Sequence, residues 1–115
     1  MPRDARAYVA DILESCEAIR TAAAGLDLEP YQENRLVRSS IEREFIIIGE
    51  AMASLRRIAP EAFAEITSAH RIVDFRNQLT HEYPNIDDAQ VWAIIGRDVP
   101  VLARESAELL SRLGG

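Results

Sequence analysis

The residues with the clearest chemical potential lie between positions 75 and 84, where the chain reads FRNQLTHEYP. Arg76 precedes His81 by five residues, and Tyr83 follows His81 by two. Histidine can accept and donate a proton near neutral pH, and arginine carries a permanent forked charge that suits phosphate oxygens. In a chain of this composition, the full spacing arises by chance roughly 0.006 times. This stretch is therefore specific enough to treat as a candidate site.

An arginine and a histidine together can carry out metal-independent cleavage of RNA. A base removes the proton of a ribose 2′-hydroxyl, the oxygen attacks the adjacent phosphate, and a cation stabilises the charge that develops there. The products would carry a 2′,3′-cyclic phosphate and a 5′-hydroxyl. One histidine cannot easily act as base and acid in the same reaction. A two-fold homodimer that brings two copies of the motif face to face would supply the second histidine.

A purely structural role for Arg76 and His81 is the main alternative, since basic residues near a helix C-terminus interact favourably with its last carbonyls. On a helical wheel, His81 lies about 150° from the centre of the apolar stripe. That stripe is formed by Ile72, Phe75 and Leu79. The helical wheel therefore excludes burial of His81 in the core of its own subunit. Asn77 lies four residues before His81, on the same face, and can hydrogen-bond to it.

Composition narrows the possible chemistry. The formal net charge of −6 argues against non-specific coating of nucleic acid, so contact with RNA would depend on local arginine. All 13 basic residues are arginine, which excludes Schiff-base chemistry by lysine. The single cysteine, Cys16, excludes an intrachain disulfide and fits a small buried hydrophobe better than a nucleophile. We expect no cofactor and no metal site, because zinc-ligand spacings and phosphate-binding glycine loops are absent.

Apolar patterning favours a single all-α domain over residues 1–115, an up-and-down four-helix bundle with a short extra helical turn. The segment LDLEP should end the first helix, and Pro100 should kink the last helix. No apolar run is long enough to span a membrane, and there is no secretory signal, which predicts a cytoplasmic location. The predicted helices cover residues 4–24, 32–57, 68–82 and 87 or 88–113, with the extra turn at 60–66. We expect Asp4 to act as the N-cap of the first helix.

The second predicted helix carries a glycine that needs an explanation. Gly49 costs about 1 kcal/mol relative to alanine in a helix interior, and close approach of another helix is the usual compensation. Ile46 and Ile47 widen the apolar stripe of this helix, which is consistent either with burial on two sides or with a subunit interface. Trp92, near the start of the last helix, fits a core position better than a platform for stacking bases.

The segment RNQLTHEY resembles the Arg-x4-His-x-Tyr motif of the HepT-like toxins, members of the HEPN superfamily. The segment FIIIGEA, residues 45–51, is similar to the IIGEA segment of that family, and DVPVL, residues 98–102, is similar to its Asp-Leu-Pro turn. The likeness covers almost the whole chain in matching order.

The resemblance implies a homodimeric toxin of a type VII toxin–antitoxin system, encoded beside a small nucleotidyltransferase antitoxin. It assigns the ribonuclease residues to Arg76 and His81, with Asn77 in support. It also implies that the antitoxin silences the toxin by transferring AMP to Tyr83.

Two other functions remain open at this stage. In the first, the chain is a non-catalytic helical module that binds a nucleotide or a partner, and the arginine only holds phosphate. In the second, Tyr83 is the functional residue because it is modified, and ribonuclease activity is negligible.

Overall fold

A capping carboxylate starts the first helix. The computed structural model describes residues 3–81 and 85–114, and α1 spans Ala5–Ala23. The side chain of Asp4 accepts a hydrogen bond from the backbone N–H of Ala7 at 2.9 Å, which confirms the predicted N-cap. After the helix, Gly25 takes a φ of 77°, the left-handed conformation that glycine adopts most easily.

A short helix follows where the sequence predicts only a break. The first helix ends before LDLEP, as predicted, but the last three residues of that segment begin a further helix, α2, which spans Leu28–Glu33. Asp27 has an extended backbone immediately before this helix. Pro30 lies in the first turn, where its missing N–H would have had no partner within the helix. The ring therefore does not prevent helix formation.

Helix α3 is the longest of the chain and spans Arg35–Ile58, close to the predicted range. It is separate from α2 because Asn34 acts as its N-cap: the Asn34 side chain accepts a hydrogen bond from the N–H of Val37 at 3.1 Å. The short helix α4, Pro60–Ala64, follows at once and confirms the predicted extra turn. Helix α5, Ala69–His81, carries the candidate site.

The last predicted helix is two helices. Helix α6 spans Asp88–Arg97 and α7 spans Val99–Gly114, with Asp98 between them. The side chain of Asp87 caps α6 by accepting hydrogen bonds from two backbone N–H groups. Pro100 has no N–H for an intrahelical bond, and its ring would clash with the carbonyl four residues earlier. At the expected kink, the helix is interrupted by the single residue Asp98, whose backbone stays in the helical region.

The helices pack as a bundle, which confirms the predicted all-α class. Helix α1 lies against α3 and α7, α3 also packs against α5, and α6 packs against α7. The half-buried Trp92 packs against buried Tyr31, with ring centroids 5.1 Å apart. No helix in the two described ranges combines the length and apolar character needed to cross a membrane.

Cys16 lies inside this bundle. Its side chain is fully buried on α1, and desolvation raises the pKa of its thiol to about 12. A thiol with such a pKa remains protonated near neutral pH and is a poor nucleophile. The prediction that Cys16 is a small core residue is confirmed.

Candidate functional site

Arg76 and His81 lie on the same helix but face different directions. His81 is the last residue of α5 and is exposed, as the helical wheel predicts. Arg76 is half-buried. Five residues at about 100° each place the two side chains about 140° apart around the helix axis. A single protomer therefore presents the proton-transfer group and the cation on different flanks of α5.

Arg76 is held where α5 crosses α3. Gly49 is buried on α3, and an ideal Cβ at this glycine would lie only 2.5 Å from Cγ of Arg76 and closer still to its Cβ. The same Cβ would lie 3.4 Å from the Nε of Arg76. The absent side chain at position 49 thus provides the space in which the stem of Arg76 packs. The predicted compensation for Gly49, a close helix approach, is confirmed.

The guanidinium of Arg76 has no partner in the part of the chain that the structure describes. Its Nε is buried and makes no hydrogen bond, and the described residues include no carboxylate that forms an ion pair with this guanidinium. A buried donor without an acceptor costs about 1–3 kcal/mol, so such groups are uncommon and call for a specific explanation. The terminal amino groups of Arg76 make no hydrogen bond within the described residues, and they are the donors that a bound anion would use.

Thr80, a residue that the sequence analysis did not identify as a candidate, makes hydrogen bonds within the helical turn between Arg76 and His81. The hydroxyl of Thr80 lies 3.1 Å from the carbonyl oxygens of Arg76 and Asn77, and it can donate to either. The Asn77 side chain is exposed, and no hydrogen bond joins it to His81 in the described structure. The predicted pairing of Asn77 with His81 is therefore not present in this conformation.

Tyr83, the predicted AMP acceptor, lies outside the described residues, and so does its neighbour Glu82. The chain's other histidine, His70, is exposed near the start of α5, where its ring meets the ring of Phe63 edge-on with centroids 5.1 Å apart. Nothing in the described ranges gathers three or more His, Cys, Asp or Glu side chains into a potential metal site.

The structure also shows a cluster of charged residues that sequence reasoning missed. Asp98, between α6 and α7, is only 2% exposed. Arg71 donates to both of its carboxylate oxygens, from Nε at 3.1 Å and from Nη2 at 2.7 Å. Arg97 donates to the same two oxygens at 3.2 Å each. The sequence had marked Asp98 only as part of a turn motif, and a separation of 27 positions from Arg71 gave no sign of the pairing.

The two arginines stabilise the charge of Asp98. Burial by itself would raise the pKa of the Asp98 carboxyl, but the hydrogen bonds from Arg71 and Arg97 outweigh it and hold the pKa below its ordinary value. The same contacts raise the pKa of the Arg71 guanidinium. All three groups are therefore charged at neutral pH.

These arginines line a groove between α5 and α6. The groove has a volume of about 610 Å³ and is partly open to solvent. Arg71, Asp74 and Gln78 contribute from α5, and Gln90 and Arg97 contribute from α6. The side chains of Gln78 and Gln90 are joined across it by a 3.3 Å hydrogen bond.

Comparison with known proteins identifies the family. The family described as "Ribonuclease HepT-like" matches residues 12–109, nearly the full chain. The chain belongs to the HepT-like ribonuclease family. The resemblance drawn from the Arg-x4-His-x-Tyr motif is thereby confirmed, as is the expectation of a ribonuclease.

Individual relatives agree with this family. The chain is 32% identical to a candidate RNase of Methanocaldococcus jannaschii, over 90% of this chain and 94% of the relative. It is 28% identical to a candidate RNase of Caldanaerobacter subterraneus subsp. tengcongensis, over 93% and 95%. It is 26% identical to a ribonuclease HepT candidate of Thermococcus cleftensis, over 89% and 92%. No solved structure gives a significant match.

The packing of Arg76 on Gly49 predicts an unusual effect of alanine. Gly49→Ala should lower the free energy of unfolding by about 1–3 kcal/mol, because the new methyl group forces α3 and α5 apart or displaces Arg76. It should also reduce RNA cleavage under conditions where the variant remains folded. Urea unfolding and a cleavage assay on the same preparation measure both effects.

Gly96 in α6 provides the matched control, since a Cβ there would meet no atom within 4 Å. Gly96→Ala should raise the free energy of unfolding by up to about 1 kcal/mol through helix propensity and leave cleavage unchanged. A Gly49→Ala protein as stable and as active as the Gly96→Ala protein would contradict the packing role of Gly49.

Proposed function

We propose that this HepT-like protein is a metal-independent endoribonuclease, the toxin of a type VII toxin–antitoxin system, with Arg76 and His81 as its catalytic residues. The proposal is supported by the placement of these two side chains in the fold. Arg76 is packed against α3 while its guanidinium has no partner among the described residues, and His81 is exposed on the same helix. A structural arginine would be expected to donate its hydrogen bonds to the protein itself, as Arg3 does to the Asp11 carboxylate and the Ala7 carbonyl.

The reaction follows from the properties of the two groups. His81 accepts the proton of a ribose 2′-hydroxyl, and the 2′-oxygen forms a bond to the adjacent phosphorus as the bond to the 5′-oxygen breaks. The guanidinium of Arg76 stabilises the negative charge on the phosphate oxygens as that charge increases. A protonated histidine returns a proton to the departing 5′-oxygen. The products are a 2′,3′-cyclic phosphate and a 5′-hydroxyl, and no water is consumed in this step.

The second histidine comes from a homodimer in this proposal. His70 is engaged with Phe63 near the other end of α5, about 16 Å along the helix from His81, so it cannot serve as the acid. Arg76 and His81 also lie on different flanks of α5. A two-fold arrangement of two α5 helices would place the exposed His81 of one subunit near the motif of the other. It would also double the local arginine content in a chain whose net charge is −6.

The catalytic proposal predicts the behaviour of two single variants. Purified protein incubated with RNA and a metal chelator should release fragments ending in 2′,3′-cyclic phosphate, which mass spectrometry identifies. Arg76→Ala and His81→Ala should each lower the cleavage rate by about 10²–10⁴-fold, the usual contribution of a positioned acid, base or charge. Arg20→Ala, which removes an exposed arginine of α1, should cleave at the wild-type rate.

The same experiment distinguishes the catalytic proposal from its main alternative, a non-catalytic binding module. If wild-type protein leaves RNA intact but still binds RNA or a nucleotide through Arg76, the chain is a binding module and the catalytic proposal is wrong. Cleavage that the chelator abolishes would equally contradict the metal-independent mechanism.

We further propose that the toxin is regulated by a small nucleotidyltransferase antitoxin that transfers AMP to Tyr83 in the cytoplasm. The family resemblance supports this assignment, since Tyr83 occupies the tyrosine position of the Arg-x4-His-x-Tyr motif. The tyrosine oxygen would attack the α-phosphorus of ATP and release pyrophosphate. An AMP group two residues from His81 would then place added bulk and negative charge where RNA phosphate must bind.

This regulation predicts a defined covalent change. Co-expression with the nucleotidyltransferase encoded beside the gene should increase the mass of the protein by one or more AMP groups and abolish RNA cleavage. Tyr83→Phe should not gain the mass. A full AMP mass gain on Tyr83→Phe would place the modification elsewhere and contradict the assignment.

A further inference from the structure

The Arg71–Asp98–Arg97 cluster has features of an anion-binding site. Asp98 is buried and charged, and it holds both guanidinium groups through two hydrogen bonds each. The cluster therefore carries one net positive charge. The two arginine side chains remain 51% and 60% exposed, so their outer edges face solvent.

Both guanidinium groups have N–H donors that are not used on Asp98. An arginine has five N–H donors, and each of these two uses a pair of them on Asp98, which leaves three on each for a ligand. Because the buried carboxylate already fixes the guanidinium planes, little side-chain entropy remains to be lost on binding. Oriented, exposed guanidinium groups of this kind suit the oxygens of a phosphate.

The cluster is aligned with the candidate catalytic histidine. Around the axis of α5, His81 lies about 20° from the groove-lining residue Asp74, so both side chains project from the same face of the helix. Arg71 lies ten residues before His81, about 15 Å along the helix. The exposed side chains of Gln78 and Gln90, which are hydrogen-bonded to each other, also line the groove. A chain of nucleotides bound at His81 could therefore continue along the groove towards the arginines.

We propose that Arg71 and Arg97 form a second phosphate-binding site, which holds a nucleotide of the single-stranded RNA substrate a few residues away from the bond that is cleaved. The site rests on the proposed function in taking RNA as its ligand. It differs from the catalytic site in its residues and in its role, since it binds substrate and takes no part in proton transfer. It also assigns a function to the DVPVL turn, whose aspartate orients both arginines.

Asp74 leads to a separate prediction, in which a substitution strengthens RNA binding. Its exposed carboxylate also lines the groove, three residues after Arg71, and would repel a bound phosphate strand. Replacing it with the neutral isostere should therefore tighten RNA binding. An increase in affinity is informative because loss of folding would only weaken binding.

The test is an affinity measurement in a protein that cannot cleave its ligand. Fluorescence anisotropy with a labelled single-stranded RNA is measured in the His81→Ala background over a range of salt concentrations. Adding Arg97→Ala or Arg71→Ala should weaken binding about tenfold and reduce the slope of log affinity against log salt by about 0.7 for the lost phosphate contact. Adding Asp74→Asn should tighten binding about two- to fivefold.

Arg20→Ala is the matched control. Arg20 has a side chain 51% exposed, like Arg71, and is also paired with a carboxylate, Glu17. It is not among the residues that line the groove between α5 and α6, and its removal changes the net charge by the same amount. Arg20→Ala should therefore bind RNA with nearly wild-type affinity. Thermal unfolding of each variant establishes that the proteins compared are folded.

Two results would overturn the proposal. The first is that the Arg97→Ala and Arg71→Ala proteins bind RNA as tightly as the Arg20→Ala protein while wild-type protein cleaves RNA. The proposal of a second phosphate-binding site would then be wrong, and the catalytic proposal would stand. The second is that Asp74→Asn weakens binding although it is folded. If wild-type protein binds and the arginine variants lose affinity but no RNA is cleaved, the second site stands and the catalytic proposal fails.

Discussion

The close contact between α3 and α5 at Gly49 is the constraint on which the candidate site depends. A helix crossing that leaves no room for a Cβ brings the backbone of one helix against the side-chain stem of Arg76 on the other. The stem is therefore fixed by packing, and the guanidinium does not need an ion pair to hold it in place. Such packing can preorganise a charge without neutralising it, which is what stabilisation of a charged transition state requires.

The chain uses its arginines in two different ways. Arg71 and Arg97 are oriented by a buried carboxylate and retain one net charge between them, whereas Arg76 is oriented by apolar packing and keeps its full charge. A protein with a net charge of −6 cannot attract RNA over its whole surface. Local, preorganised arginines provide a physical means of binding phosphate without a basic surface.

The sequence predicted the features that depend on local rules. The N-cap at Asp4, the exposed face of His81 and the close approach at Gly49 follow from capping, helical periodicity and glycine's helix penalty. It did not predict helix α2, since Pro30 signals a break unless one knows that it falls in a first turn. It also missed the pairing of Arg71 with Asp98, because an ion pair between distant residues depends on how the helices pack, and helical periodicity carries no such information.

The central claim is that two subunits share one catalytic site, and subunit mixing tests it most directly. Wild-type and His81→Ala chains are unfolded together, refolded at varying ratios and assayed for RNA cleavage at constant total protein. If each site needs His81 from both subunits, activity should fall as the square of the wild-type fraction, so that an equal mixture retains roughly a quarter of the wild-type rate. Activity that falls in direct proportion to the wild-type fraction would show that each subunit works alone and would contradict the shared site.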